Sequence, residues 1–181
     1  SSISRARKRR KPAPPAMHNQ VLASALRGVT VLDFSRLLPG PYLSMVLGDL
    51  GAEVIKVEDT GVGDYLRTMP PLVGDTSARY LALNRNKQSV ALDLKTQAGA
   101  QACKQLVRKA DIVIESFRPG VMARLGLDDT ALRAINPRLI YCAITGYGQT
   151  GPWAEPAGHD LTYAAHTADL ANGQACAQAG V

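Results

Sequence analysis

The chain has 181 residues, 46% of them hydrophobic and 20% charged, enough for one well-packed domain of globular composition. No stretch approaches the roughly 20 consecutive apolar residues that span a bilayer, so a membrane partner is not expected. The net charge of +6 is concentrated in residues 1–20, where Arg5, Arg7, Lys8, Arg9, Arg10 and Lys11 meet no acid; the other residues carry 15 basic against 15 acidic groups, which argues against a nucleic-acid-binding body.

The tail itself, SSISRARKRRKPAPPA, lacks apolar periodicity and is expected to be disordered. A basic nucleic-acid patch, an organelle presequence and an extension outside the fold are all compatible with it, and Met17 just ahead of the first apolar run favours the last. Cys103, Cys142 and Cys176 are too widely spaced for a zinc site and too few for a disulfide framework. They fit a reducing compartment such as the cytoplasm, as small core residues, and no metal is expected.

From residue 29 onward the pattern alternates. Val29 to Phe34 predicts a strand, Pro41 to Leu50 a helix with Leu43, Val46, Leu47 and Leu50 on one side and Gly51 as its stop, and Glu53 to Glu58 a second strand. Such a βαβ unit implies parallel strands and a right-handed crossover. Residues 59–80 hold three glycines and two prolines without a period and read as a long loop, of a length usually functional or mobile. Ser89 to Leu94 predicts a strand, Thr96 the cap of a helix running to Lys109, and Asp111 to Glu115 another strand. Pro119 to Leu125 and Thr130 to Ile135 read as short helices, and Leu139 to Thr145 as the last strand. The fold class is therefore α/β, a Rossmann-like open parallel sheet with helices on both faces, over residues 21–170; residues 171–181 look frayed.

In such sheets ligands bind outside the carboxyl ends of the strands, which selects Ser35 and Arg36, Glu58 and Asp59, Ser116 to Arg118, and Gly146 to Gln149. Gly146, Gly148 and Gly151 spell a G-x-G-x-x-G after a strand, yet Pro156 and Gly158 leave no room for the helix whose N-terminus would hold a pyrophosphate. A glycine-rich loop lining a site is expected instead. Glu58 stands where a ribose-binding acid would stand, a weak sign by itself. His159 and Asp160 precede an apolar run and look like a helix N-terminus: either Asp160 caps it and His159 merely precedes, or the helix dipole keeps the imidazole available as a base.

Several blocks in order resemble one family: Leu26 to Glu58, Leu83 to Thr96 (LNRNKQSVALDLKT), Ala110 to Leu127 (ADIVIESFRPGVMARLGL), Asn136 to Pro152 (NPRLIYCAITGYGQTGP) and Ala157 to Tyr163 (AGHDLTY). The chain resembles the class III CoA-transferases, a family that includes formyl-CoA transferase, carnitine CoA-transferase and α-methylacyl-CoA racemase. The resemblance implies a CoA thioester as substrate rather than a separate cofactor, a carboxylic acid as acceptor, and an interlocked homodimer. It places Lys87, Ser116, Phe117, Arg124 and Leu125 at CoA-contacting positions, with Arg36 and Arg85 as further members of that shell, and His159 at the racemase's catalytic histidine. It also implies an essential Asp well downstream of the histidine. Asp169 stands only ten residues beyond His159, so the role is not transferred to it, and an N-terminal part of a longer enzyme is expected. Three functions follow: a transferase moving CoA between carboxylic acids, a racemase-type epimerase using His159, or a CoA-binding remnant inactive alone.

Overall fold

The computed structural model describes residues 24–156 together with Gly158, His159, Thr162 and Tyr163. The basic tail, Asp160, His166, Asp169, Cys176 and the expected frayed end lie outside the described residues. Five strands form one parallel sheet: β1 (Thr30–Asp33), β2 (Glu53–Glu58), β5 (Lys87–Ala91), β6 (Ile112–Glu115) and β7 (Ile140–Ala143), in the order β5-β2-β1-β6-β7. Between them run α1 (Pro39–Asp49), α2 (Ala78–Leu83), α3 (Gln97–Val107), α4 (Val121–Arg124) and α5 (Asp129–Ile135). The Rossmann-like α/β architecture read from the alternating pattern is the one observed.

Period-two alternation explains why helices cover both faces. Val31, Val54 and Ile114 point one way, into a core closed by Leu43 and Leu47 of α1. Leu32, Val57 and Val113 point the other way, against Cys103 and Val107 of α3 and Leu132 of α5. All six of these strand side chains are at most 7% exposed, so a one-residue slip in any strand would exchange its two packing faces.

Local chemistry sets the ends of the elements. Pro39 opens α1 within its first turn, and Gly51, at φ +99°, lets the chain turn out of it into β2. The Thr96 hydroxyl accepts from Gly99 N–H at 3.1 Å and caps α3 as expected. Most element ends lie within one or two residues of the pattern-based reading, and two differences are larger. The third strand of the sheet in chain order, β5, spans Lys87–Ala91 rather than Ser89 to Leu94, because an edge strand lasts only as long as its partner: Lys87 pairs with Val54 and Ala91 with Glu58, where β2 ends. Residues 59–80 are also more ordered than a plain loop. They contain a 3-10 turn (Tyr65–Thr68), a hairpin of β3 (Leu72–Val73) and β4 (Thr76–Ser77), and the start of α2, capped by the Ser77 hydroxyl accepting from Tyr80 N–H.

The chain leaves β1 toward β2 and later returns to lay β6 on β1's other side. That reversal makes the carboxyl ends of β1 and β6 the topological switch point. The two strands stay joined through Phe34 N–H to Ile114 O at 2.8 Å and then part, leaving a crevice.

Candidate functional site

A cleft of about 470 Å³ lies at that crevice, lined by residues at the carboxyl ends of four strands together with Tyr65 and α4. Phe34, Val57, Leu92, Leu94, Phe117, Val121 and Leu125 supply its apolar wall, and Arg36, Asp59, Thr60, Tyr65, Asp93 and Lys95 its polar rim. The Arg36 guanidinium lies 5.3 Å from the Tyr65 ring centroid and 5.4 Å from that of Phe117, within cation–π reach of both. Its side chain is 30% exposed and 3.7 Å from the Asp59 carboxylate. Two aromatic faces thus orient one cation over an apolar floor, a combination suited to a ligand carrying both anionic and flat or aliphatic parts.

The β1–α1 turn carrying Arg36 rests on buried charges. Asp33, wholly buried at the end of β1, accepts from Ser35 N–H at 2.9 Å and from the Ser35 hydroxyl. Its other oxygen accepts from the Ser44 hydroxyl at 2.5 Å and from Lys87 Nζ at 3.2 Å. Lys56 Nζ donates to Ser35 O at 2.8 Å and lies 2.9 Å from Asp64 Oδ2, an oxygen that takes no directed hydrogen bond. Gly40 packs so closely here that a Cβ would stand 2.1 Å from that of Ser35.

The segment 59–80 is pinned by Glu58. Its two oxygens accept from Arg67 Nε at 2.7 Å and Nη2 at 2.8 Å, Ser89 Oγ at 2.7 Å, Tyr80 Oη at 2.9 Å and Asp64 N–H at 3.0 Å. Burial pushes this carboxyl up, but the donors, Arg67 foremost, outweigh it and hold it at about 2. Glu58 is therefore fully engaged in anchoring the segment and has no capacity left for a ribose.

The residues singled out in the sequence divide in three. Arg36, Phe117 and Leu125 line the cleft, and Ser116 supports it, its hydroxyl accepting from Arg36 N–H at 3.1 Å. Arg124 stands exposed at the end of α4, the next residue before Leu125. Lys87 and Arg85 are placed elsewhere. Lys87 is 2% exposed, and its ammonium donates to Pro41 O, Ser44 Oγ and Asn84 Oδ1 as well as Asp33. Burial pulls that ammonium below its ordinary range, and Asp33 opposes the shift. Arg85 is paired with Asp49 of α1 at 2.5 Å. The preceding Asn86 is left-handed at φ +61°, and Lys87 is not among the residues lining the cleft.

Leu92 and Leu94 were missed because the expected strand ran to Leu94, and Lys95, just past either strand end, was not singled out. With β5 ended at Ala91, the carboxyl-edge rule selects them. Gly99 locks this turn, since a Cβ there would stand 2.0 Å from Asp93 O.

The glycine-rich stretch forms bends and turns without a helix, with Gly148 at φ +89° and Gly151 at +96°. Tyr163 closes it: Cβ atoms on Gly146 or Gly158 would each lie 2.0 Å from its hydroxyl oxygen, and its ring is 5.3 Å from that of Tyr147. His159 opens a helical turn. Its carbonyl accepts from Thr162 and Tyr163 N–H, and its own N–H donates to the Thr162 hydroxyl at 2.8 Å. The residue is exposed and is not among those lining the cleft. A second cleft of about 390 Å³ lies beyond α4, where Glu115, Arg118, Tyr141 and Gln149 meet.

A sequence model of CoA-transferase family III matches residues 26–175. The chain belongs to CoA-transferase family III. Human succinyl-CoA:glutarate CoA-transferase is 48% identical over 141 residues, covering 77% of this chain and 32% of that protein. The succinate–glutarate CoA-transferase of Agrobacterium fabrum is 47% identical over 142 residues, covering 75% of this chain and 36% of that protein. A CAIB/BAIF family protein from Brucella suis superimposes with a TM-score of 0.75 at 44% identity, over 79% of this chain and 39% of that one. The chain thus spans about a third of the length of the curated relatives it matches. Among the described residues of this family III member, no helix is long and apolar enough to cross a membrane.

Proposed function

We propose that this chain supplies the CoA-thioester-binding half of a transferase that moves CoA between carboxylic acids, and that the cleft at the β1/β6 switch point receives the CoA moiety. The observation that carries the reading is the pairing of Arg36, held between two aromatic rings, with an apolar wall of Phe117, Val121 and Leu125 and with Lys95 at the rim. The nucleotide of CoA demands cations for its phosphates and an apolar surface for adenine. Arg124, one helical turn from Val121, extends the cationic rim. In place of direct contact, Lys87 and Arg85 act by bracing the β1–α1 turn and α1.

The chemistry asked of such an enzyme is acyl transfer. A carboxylate attacks the thioester carbonyl, the C–S bond breaks, and CoA leaves as the thiolate while an acyl anhydride forms. The thiolate then attacks the anhydride at the carbonyl derived from the attacking carboxylate, the acyl C–O bond breaks, the donor acid leaves as its carboxylate, and the second thioester is formed. N–H groups of the loop around Gly146 and Gly148 are the candidates for stabilising the oxyanion. The relatives' names, which specify succinyl, glutarate and oxalate transfer, support small dicarboxylic acids as partners. They also favour transfer over epimerisation, for which His159 would have to face a bound acyl group. We further infer a cytoplasmic, homodimeric enzyme; the free thiols of Cys103 and Cys142 support a reducing compartment.

Calorimetric titration of the folded chain with CoA tests the reading. Saturable binding is expected, weakened about tenfold or more by Arg36→Ala and several-fold by Lys95→Ala, with wild-type circular dichroism retained. Absence of binding by the folded chain, or binding indifferent to both substitutions, refutes it. Sedimentation velocity tests the dimer.

A further inference from the structure

Arg36 can face the cleft only if the backbone of Ser35, Arg36 and Leu37 keeps one conformation, and that conformation is unfavourable. Leu37 sits at φ +63°, the left-handed region that L residues with a branched side chain avoid. Nothing in the Leu37 side chain explains it, since that side chain is 42% exposed. A strained, solvent-facing residue persists only where its surroundings over-determine the backbone.

The surroundings here are four buried charges. The N–H of Ser35 is taken by Asp33, its carbonyl by Lys56, and the N–H of Leu37 by Asp64 Oδ1 at 3.4 Å. Asp33 is in turn fixed by Ser44 and Lys87, and Asp64 by its ion pair to Lys56 and by Leu66 N–H at 2.9 Å. Each of these four side chains is 2% exposed or less, so none can reach a ligand in the cleft. Buried ion pairs of this kind contribute little net stability compared with apolar residues of the same volume, because desolvation offsets their attraction. What they do supply is directional constraint, and here every constraint converges on the turn that bears Arg36.

We propose that Lys56 and Asp64, together with Asp33, Ser44 and Lys87, are positioning residues of the acyl-CoA site, a buried frame that presents the Arg36 guanidinium to the cleft without touching ligand. Asp64 belongs to the segment that also carries Tyr65, so one ion pair sets both the cation and one of the two rings beside it. The proposal rests on the cleft being the CoA site, and the experiment separates the two.

The test is a double-mutant cycle read by calorimetric titration with CoA. The variant Lys56→Met/Asp64→Asn keeps side-chain volume and the oxygen that accepts from Leu66 and Leu37, and removes the hold on Ser35 O. It is expected to bind CoA about fivefold to tenfold more weakly. Adding Arg36→Ala to it should then cost less than about twofold, although the same substitution costs about tenfold in the wild-type chain. A frame with a merely structural role would leave the two effects independent. Ser44→Ala, a milder change on α1 that loosens Asp33, serves the same cycle if the charge variant does not fold, with an expected loss of about threefold, likewise coupled to Arg36.

Unaltered CoA affinity in the folded variants, or losses that simply multiply with that of Arg36→Ala, overturn the positioning role while leaving the site reading intact. Indifference of CoA binding to Arg36→Ala itself overturns the site reading, and the frame's proposed purpose with it.

Discussion

Replacing Glu58 with Gln attacks the anchor of residues 59–80 while changing only one heavy atom. The carboxylate, 4% exposed, takes three donors on Oε1 and two on Oε2. A glutamine amide must turn its NH₂ toward one of those sets, so at least two donors face a donor whichever way it flips. A carboxyl held at about 2 against an ordinary 4.5 contributes about 3 kcal/mol at neutral pH. Arg67 is 36% exposed, so water screens part of its share, and about 2 to 3 kcal/mol is the expected loss. For a domain of this size that lowers Tm by about 5 to 10 °C. The pH dependence has a definite sign. Because the folded carboxyl is the stronger acid, its stabilisation is complete above about 4.5, the unfolded value, and disappears as pH falls toward about 2. Urea denaturation of wild type and Glu58→Gln from pH 7 down to pH 3 is the assay, with the two curves converging as pH falls. A variant within about 0.5 kcal/mol of wild type at pH 7, or a gap independent of pH, would refute the anchoring role.

Other substitutions probe the cleft through its backbone. Gly99→Ala drives a methyl toward Asp93 O, 2.0 Å away, and is expected to cost about 1 to 3 kcal/mol and to weaken CoA binding by displacing Leu92 to Lys95, as denaturation and titration would show. Gly40→Ala meets the Cβ of Ser35 at 2.1 Å and should shift the Arg36 turn, giving a larger loss of CoA affinity than of helicity measured by circular dichroism. The Cys103 thiol, fully buried and pushed up by that burial to about 12, should resist alkylation at pH 8 in the native chain and react on unfolding, as peptide mass spectrometry would reveal.

The strand and helix sequence, the two-faced sheet and the carboxyl edge at which the candidate cleft lies were legible in the chain because they depend on local periodicity. Leu32 and Val31 alternate faces, Thr96 caps its own helix, and Gly51 ends another. The family resemblance likewise rested on contiguous blocks, so Arg36, Phe117 and Leu125 could be named before any geometry was known. Leu92 and Leu94 were read as strand because the end of β5 is set by the length of β2, a strand some thirty residues earlier. Lys87 was expected at the ligand through the resemblance, and a lysine carries no mark of its partners along the chain; Asp33 and Ser44 meet it only through folding.

The sequence by itself thus determined the α/β class, the order of elements and the edge at which the candidate cleft lies, since each follows from side-chain pattern within one or two turns of chain. Only the tertiary structure decided which charges face the cleft and which lie beneath it. The pairs Lys56–Asp64, Lys87–Asp33 and Arg67–Glu58 join residues 8, 54 and 9 positions apart through different elements. A charge's role depends on burial and on the opposite charge it meets, and neither is written in its neighbours along the chain. For the turn at Arg36 this is decisive, because its strained backbone is held by groups buried away from the cleft.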